Sequence, residues 1–256
     1  MTLEKKMSMS KPYVLVTGAS SGIGAATSLL LAKNGFHVIA AARRVERLKQ
    51  LENQASGYQG SIESAELDIT DQKSIDFLAK QLADKPLEAI INNAGGAFDA
   101  ATVLEASLES WEKSYQVNVL GTVRVIRALT PIMKRHGKGH IVVVTSTAGH
   151  VTYETGGSYT AAKHAEKALV NTLRLELNGE PIRVSEIAPG MVKTDEFAVN
   201  RFNGDESAAA KVYEGVEKPL TAEDVAEAIR WTVMLPHHFN VDSMTIRPLA
   251  QAAQHK

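Results

Sequence analysis

The sequence contains no cysteine, which removes disulfides, iron–sulfur clusters, thiolate zinc sites and a cysteine nucleophile from consideration. It also lacks an excess of either charge: 28 Lys and Arg face 29 Asp and Glu, for a formal net charge of −1. That balance offers no electrostatic footprint for nucleic acid or an anionic membrane, so neither is expected as a partner. Long apolar runs are missing too. No stretch approaches the roughly 18 apolar residues of a membrane span, and the opening MTLEKKMSMSK has no apolar core of a secretion signal. No His/Asp/Glu cluster reads as a metal site, and His237-His238, following Pro236, reads as a surface turn. The expectation is a cytoplasmic protein with a small molecule as its partner and no metal.

What is present is ample for a core, since a chain of 256 residues buries roughly 70–75% of its unfolded surface. Residues 1–10 are polar and read as a disordered extension. From 11 to 256 the chain reads as one α/β domain. Short apolar runs (Tyr13–Thr17, His37–Ala42, Ile62–Leu67, Leu87–Asn92, Gly139–Thr145, Ile182–Ile187 and Val241–Ile246) alternate with helical patterns. Continuously apolar strands separated by helices predict a doubly wound Rossmann sheet of about seven parallel strands, with helices on both faces. Gly35 closes the first helix, where a positive φ is wanted. Pro131 is expected to kink or split a helical stretch running from Leu108 to about His136. Residues 190–220 show no clear strand and are expected to form a substrate-covering loop.

Between the first strand and the first helix lies Thr17-Gly18-Ala19-Ser20-Ser21-Gly22-Ile23-Gly24. Its glycines allow a tight turn and close approach to a pyrophosphate, and the helix N-terminus behind them offers unpaired N–H groups. A plain βα turn would use similar residues; the position after the first strand favours dinucleotide binding. NAD binders carry an acid at the end of the second strand, about 20 residues further on. Here that end reads Ala41-Ala42-Arg43-Arg44, and two guanidiniums could grip a 2′-phosphate, which points to NADP. The competing reading pairs Arg43 or Arg44 with Glu46 or Glu52 on a solvated helix start.

Tyr159 and Lys163 stand four apart on a predicted helix, so their side chains share one face. A free tyrosine titrates near pH 10, and use as a base at neutral pH requires the phenolate to be favoured by about 3 units, roughly 4 kcal/mol. A nearby ammonium can supply that. Ser146 ends the Gly139–Thr145 strand at the sheet edge where such folds bind ligands, and its hydroxyl could hold a substrate oxygen. An exposed aromatic–lysine stack and a turn serine are the ordinary alternatives.

Taken together, Thr17-Gly18-x-x-x-Gly22-x-Gly24, Asp68, Asn92-Asn93-Ala94-Gly95, Asn118, Ser146, Tyr159-x-x-x-Lys163 and Pro189-Gly190 resemble the short-chain dehydrogenase/reductase family from about Lys11 onward. The resemblance implies that Tyr159 is the general acid/base, that Lys163 lowers its pKa and bonds the nicotinamide ribose, that Ser146 orients the substrate oxygen, and that Asn118 anchors a water in the proton relay. It further implies that Gly18, Ser20, Ser21, Gly22, Ile23 and Gly24 cradle the cofactor, with Arg43 and Arg44 beside them. Asp68 and Ile69 would lie along the adenine, Asn93, Ala94 and Gly95 near the adenosine ribose, and Pro189, Gly190, Val192 and Thr194 along the nicotinamide. Taken alone, Asp68 and Asn93 could serve as caps, Asn118 as a helix kink and Pro189-Gly190 as a turn.

The C-terminal third is similar to a narrower group. Asp195-Glu196-Phe197, Arg201-Phe202-x-Gly204-Asp205, Leu220-Thr221-x-Glu223-Asp224-Val225-Ala226, Leu235-Pro236-x-His238 and Ile246-Arg247-Pro248-x-x-Gln251 resemble the NADP-dependent 3-hydroxy-acid dehydrogenases, which include serine and L-allo-threonine dehydrogenases. The Asp-Gly-Gly ending usual in 3-oxoacyl-acyl-carrier-protein reductases is absent. A substrate carboxylate would need a cation, and Lys193 and Arg201 are the candidates. A broad carbonyl reductase and a non-catalytic NADP sensor are the competing functions. The resemblance also implies a homotetramer or homodimer built on the Leu108–His136 and Gly157–Leu177 helices.

Overall fold

In the computed structural model, residues 12–202 and 204–253 are described. The extension expected at 1–10 lies outside them. The runs are short and most are rich in β-branched residues; each becomes a strand, the third being an edge strand with a single buried Ile62. These are β1 (Tyr13–Thr17), β2 (His37–Ala42), β3 (Ser61–Glu66), β4 (Leu87–Asn92), β5 (Gly139–Val144), β6 (Ile182–Pro189) and β7 (Ser243–Ile246). They form one seven-stranded sheet in the order β3-β2-β1-β4-β5-β6-β7, and every pairing is parallel. The order reverses between β1 and β4, and that switch point opens a crevice at the C-terminal ends of the strands.

Helices α1 (Gly22–Lys33), α2 (Val45–Gln54), α3 (Gln72–Leu82), α4 (Leu108–Tyr115), α5 (Thr122–Arg135), α6 (Gly157–Glu176), α7 (Phe197–Arg201), α8 (Glu206–Lys211) and α9 (Ala222–Val233) complete the chain. Because side chains alternate along a strand, β1 feeds two separate cores. Leu15 joins Ile75 and Leu78 of α3, Leu129 of α5 and Val170 of α6 on one face. Val14 and Val16 join Leu31 of α1, Leu48 of α2 and Ile229 of α9 on the other. Gly35 follows α1 at φ +93°. Thr221 and Asp224 form a reciprocal capping box that starts α9.

One sequence expectation is corrected. Pro131 does not break its helix: α5 runs through it to Arg135. Pro131 and Arg127, whose carbonyl loses the N–H that proline lacks, both lie on the exposed face, where no packing is disturbed. The interruption falls earlier, at a π-helical turn over Gln116–Gly121 between α4 and α5. There the Asn118 side chain turns away to bond Gly96, and Thr122 Oγ1 donates to the Asn118 carbonyl at 2.8 Å. The 190–220 segment carries two short helices, α7 and α8, the second capped by Asp205, with a parallel bridge from Val192 to Leu220 closing its base.

Gly24 sits where α1 crosses the end of β1. A Cβ there would fall on the Gly18 carbonyl and 2.7 Å from Asn93 Nδ2. Gly24→Ala is therefore expected to cost about 1–3 kcal/mol through forced backbone displacement, read as a lowered thermal midpoint.

Candidate active site

The end of β1 is fastened to the end of β4 by one hydroxyl. Thr17 Oγ1 donates to the Ile91 carbonyl at 3.3 Å and accepts from the N–H groups of Asn93 and Ala94, each at 3.1 Å. Asn93 Nδ2 donates back to the Thr17 carbonyl at 3.0 Å. With Gly18 at φ +67°, the chain turns there and leaves the crevice floor as backbone. The crevice opens into a cleft of about 1080 Å³ running across the sheet edge. Its volume exceeds the usual small-ligand range and suits a dinucleotide together with a substrate.

Nearly all the residues singled out in the sequence line this cleft. Gly18, Ser20, Ser21, Gly22, Ile23, Arg43, Arg44, Asp68 and Ile69 lie toward one end, with Asn93, Ala94 and Gly95 in the middle. Ser146, Tyr159, Lys163, Pro189, Gly190 and Val192 lie toward the other, and Thr194 returns to Gly22, where a Cβ would stand 3.3 Å from its Cγ2. Gly24 and Asn118 are not on its surface. Gly24 serves helix–strand approach, and Asn118, fully buried, stands behind the wall. Its Oδ1 accepts from Gly96 N–H at 3.0 Å, and its Nδ2 donates to the Gly96 and Ser114 carbonyls at 2.9 and 2.8 Å. The π turn thus holds the β4 loop beside Lys163.

At the arginine end, Arg44 donates through Nε and Nη2 to Ser20 Oγ at 3.1 and 2.9 Å, and through Nη2 to Ser21 Oγ at 3.0 Å. Its carboxylate partner is neither Glu46 nor Glu52. It is Glu196, which leads into α7 and receives Nη1 and Nη2 at 2.8 Å each. Arg47 also reaches Glu196, and Ser21 Oγ donates to it at 2.9 Å. Glu52 is instead an acceptor for the Ser64 N–H. The Arg44 hydrogen bonds outweigh burial and, with those of Arg47 and Ser21, hold the Glu196 carboxyl down to about 2. Asp68 accepts from Thr70 N–H and Oγ1 at 2.8 and 2.7 Å. Burial pushes its carboxyl up, but those bonds and the Arg43 charge bring it below the ordinary value.

At the other end, α6 presents Tyr159 and Lys163 one turn apart, both buried. Lys163 Nζ stands 5.8 Å from the Tyr159 ring centroid and donates to the Val144 carbonyl at 3.2 Å. Ser146 follows β5, and its Oγ accepts the Ala148 N–H at 3.1 Å, capping a short 3-10 turn. The Phe197 ring meets Tyr159 edge-on at 5.7 Å. Of the two cations proposed for a carboxylate, Lys193 is exposed and outside the cleft, its backbone tied to Leu220. Arg201 lines the cleft, stacked on Tyr153 at 5.4 Å, donating to the Asp99 and Thr155 carbonyls at 3.3 and 3.1 Å. Burial drives the Tyr153 hydroxyl up to about 12 even against the Arg201 charge.

A parallel sheet with a glycine turn at its switch point, and a tyrosine–lysine pair across the cleft, defines a nucleotide-binding α/β oxidoreductase. The short chain dehydrogenase profile matches residues 12–203, and the chain belongs to that family. It is 48% identical over 243 residues to an uncharacterized oxidoreductase of Mycobacterium tuberculosis, covering 95% of this chain and 93% of that protein. It is 35% identical over 241 residues to the NADP-dependent 3-hydroxy acid dehydrogenase YdfG of Salmonella typhi, covering 93% and 96%. Among solved structures, the closed form of serine dehydrogenase complexed with NADP+ superposes with a TM-score of 0.89 at 36% identity, covering 94% of this chain and 96% of that one. Among the described residues, no helix is long and apolar enough to cross a membrane.

Proposed function

We propose that this oxidoreductase interconverts short 3-hydroxy acids, of the serine or 3-hydroxybutyrate type, and their 3-oxo forms, with NADP as cofactor and Tyr159 as general acid/base. The observation that carries the reading is the sharing of one cleft by Ser146, Tyr159 and Lys163 with the Arg201 guanidinium. The cofactor fits the residues present. Ser20, Ser21, Arg43 and Arg44 offer hydroxyl and guanidinium donors suited to a phosphate, and the missing Cβ at Gly18 and Gly95 lets the glycine turn pack on Asn93 and Ala94 and the β4 loop pack on Asn118.

When bound, NADP supplies the hydride acceptor or donor. The chain supplies everything else. Ser146 holds the substrate oxygen, Tyr159 takes its proton in oxidation and returns it in reduction, and the Lys163 ammonium favours the phenolate. Asn118 keeps the β4 loop and the water of the proton relay in place. Arg201 receives the carboxylate, and the 190–220 segment covers the substrate. Exposed apolar residues on α4 and α6, Leu108 at 79% and Leu175 at 69%, support assembly into a homodimer or homotetramer. The rings of Phe98, Phe197 and Phe202 at the cleft favour a second reading, reduction of uncharged ketones.

The deciding experiment measures nicotinamide reduction with serine, 3-hydroxybutyrate and plain secondary alcohols, each with NADP+ and NAD+. Turnover of a 3-hydroxy acid with NADP+, and a KM for acids but not for alcohols that rises in Arg201→Leu, is the expected result. Turnover of uncharged alcohols alone would discard the hydroxy-acid assignment. NADP+ binding without turnover of any substrate would favour a sensor.

A further inference from the structure

Behind the cleft wall, buried ionisable side chains back onto Lys163 and take no part in the reaction described above. Glu166, on the next turn of α6, is 1% exposed, and its Oε2 lies 2.5 Å from Lys163 Nζ. Its Oε1 lies 3.3 Å from Thr122 Oγ1 of α5. Glu186 of β6, also 1% exposed, faces the same pair. Glu186 is itself well supplied. Its Oε1 accepts from Thr145 Oγ1 at 2.7 Å and lies 3.0 Å from His150 Nε2, and its Oε2 accepts from Ser243 Oγ at 2.6 Å. Lys167 Nζ lies 3.0 Å from His150 Nδ1 at the outer end of the chain. Tyr159 is the remaining titratable group facing Lys163.

Burial pulls the Lys163 ammonium down, but the Glu166 carboxylate, with Tyr159 and Glu186, more than reverses this and holds it above the ordinary lysine value. Burial pushes the Glu166 carboxyl up, and Lys163 and Thr122 only partly offset this. The pair therefore has a dielectric setting in which a single charge acts strongly on its neighbours.

We infer that Glu166 is a positioning residue of the reaction: by cancelling part of the Lys163 charge, it sets the pH at which the Tyr159–Lys163 pair becomes ready to accept the substrate proton. The inference rests on the reading of Tyr159 as general acid/base. A lone ammonium beside the phenol would favour the phenolate fully. With a carboxylate in contact with that ammonium, part of its charge is offset, and more alkaline conditions are needed. Removing the Glu166 charge leaves Tyr159, Glu186 and the Val144 carbonyl facing the Lys163 ammonium.

The test is the pH profile of kcat/KM for alcohol oxidation in the full-length protein. In Glu166→Gln the acidic limb is expected to move about one pH unit lower, while Glu166→Asp, which keeps a carboxylate, stays at the wild-type position. Phenolate absorbance, taken as the difference between each protein and its Tyr159→Phe derivative without cofactor, is expected to shift in the same direction. If Glu166→Gln does not fold, Glu166→Leu, which also removes the charge and brings no polar atom of its own, carries the same test. A folded, charge-free variant with an unmoved limb and only a lower thermal midpoint would make Glu166 purely structural and overturn the inference. A limb moving upward would overturn it as well. Undiminished kcat in Tyr159→Phe would instead remove the acid/base reading itself, and that arm is scored separately.

Discussion

Tyr159→Phe is expected to lower kcat by about 10²–10⁴-fold, the usual contribution of a positioned acid/base, while cofactor affinity stays unchanged. Expressed on the barrier, that is about 3–5.5 kcal/mol. The substitution removes one oxygen and little else. The ring keeps its place against Phe197 at 5.7 Å, and the site is already 7% exposed, so no cavity opens. Lys163 keeps its contacts to Val144 and Glu166. Steady-state kinetics paired with a cofactor binding titration separates lost chemistry from lost structure. A variant retaining its kcat would show that the proton travels by another route.

Arg44→Ala is expected to weaken NADP binding by about 10–100-fold while leaving NAD binding nearly unchanged, since a charge-assisted hydrogen bond contributes about 1.5–3 kcal/mol. The loss should fall toward the upper end of that range. Arg44 is the bidentate partner of Glu196, and without it that carboxylate faces the Ser20–Ser21 turn with only Arg47 and Ser21 to balance it. An anion arriving there meets one fewer cation and a less compensated carboxylate. Adding Glu196→Gln to Arg44→Ala should therefore restore part of the affinity. Titration of each variant with both dinucleotides decides the matter. Equal losses for NAD and NADP would mean that Arg44 works by holding the α7 segment and not by gripping a 2′-phosphate.

Both predictions rest on residues that were legible in the sequence, for different reasons. The strands could be read because burial on both faces leaves apolar runs; Leu87–Asn92 was expected and observed with the same ends. Gly35 could be read because a positive φ has a residue signature. The glycine turn and the Tyr159–Lys163 pair are local patterns, and a scan along the chain finds local patterns. The interruption between α4 and α5 was misplaced because proline is a visible breaker, whereas Asn118 acts only through Gly96, a partner that the fold brings to it. In the sequence Glu196 is only part of a motif, and its bond to Arg44 spans 152 residues, beyond any periodicity. Arg183 carries the same lesson. Inside an apolar run it looks out of place, yet its guanidinium donates to the carbonyls of Thr232 and Val233 at the end of α9 and of Phe239 in the turn beyond it. Glu166 lay three residues beyond Lys163 in plain view, but nothing in the sequence marks a carboxylate as buried.

The strand order carries a consequence for how the chain comes to exist. β1 lies between β2 and β4, so the second strand to be synthesised flanks one edge of the first while its other edge waits for the fourth. Residues 13–17 cannot be enclosed until residues 87–92 have emerged from the ribosome, and such non-local parallel pairings form slowly. The Thr17 hydroxyl, which shapes the turn, finds Ile91, Asn93 and Ala94 only at that moment. A nascent chain halted before β4 would hold the complete glycine sequence and still be unable to retain a dinucleotide. Cofactor capture during synthesis would thus begin as a single event when the fourth strand docks.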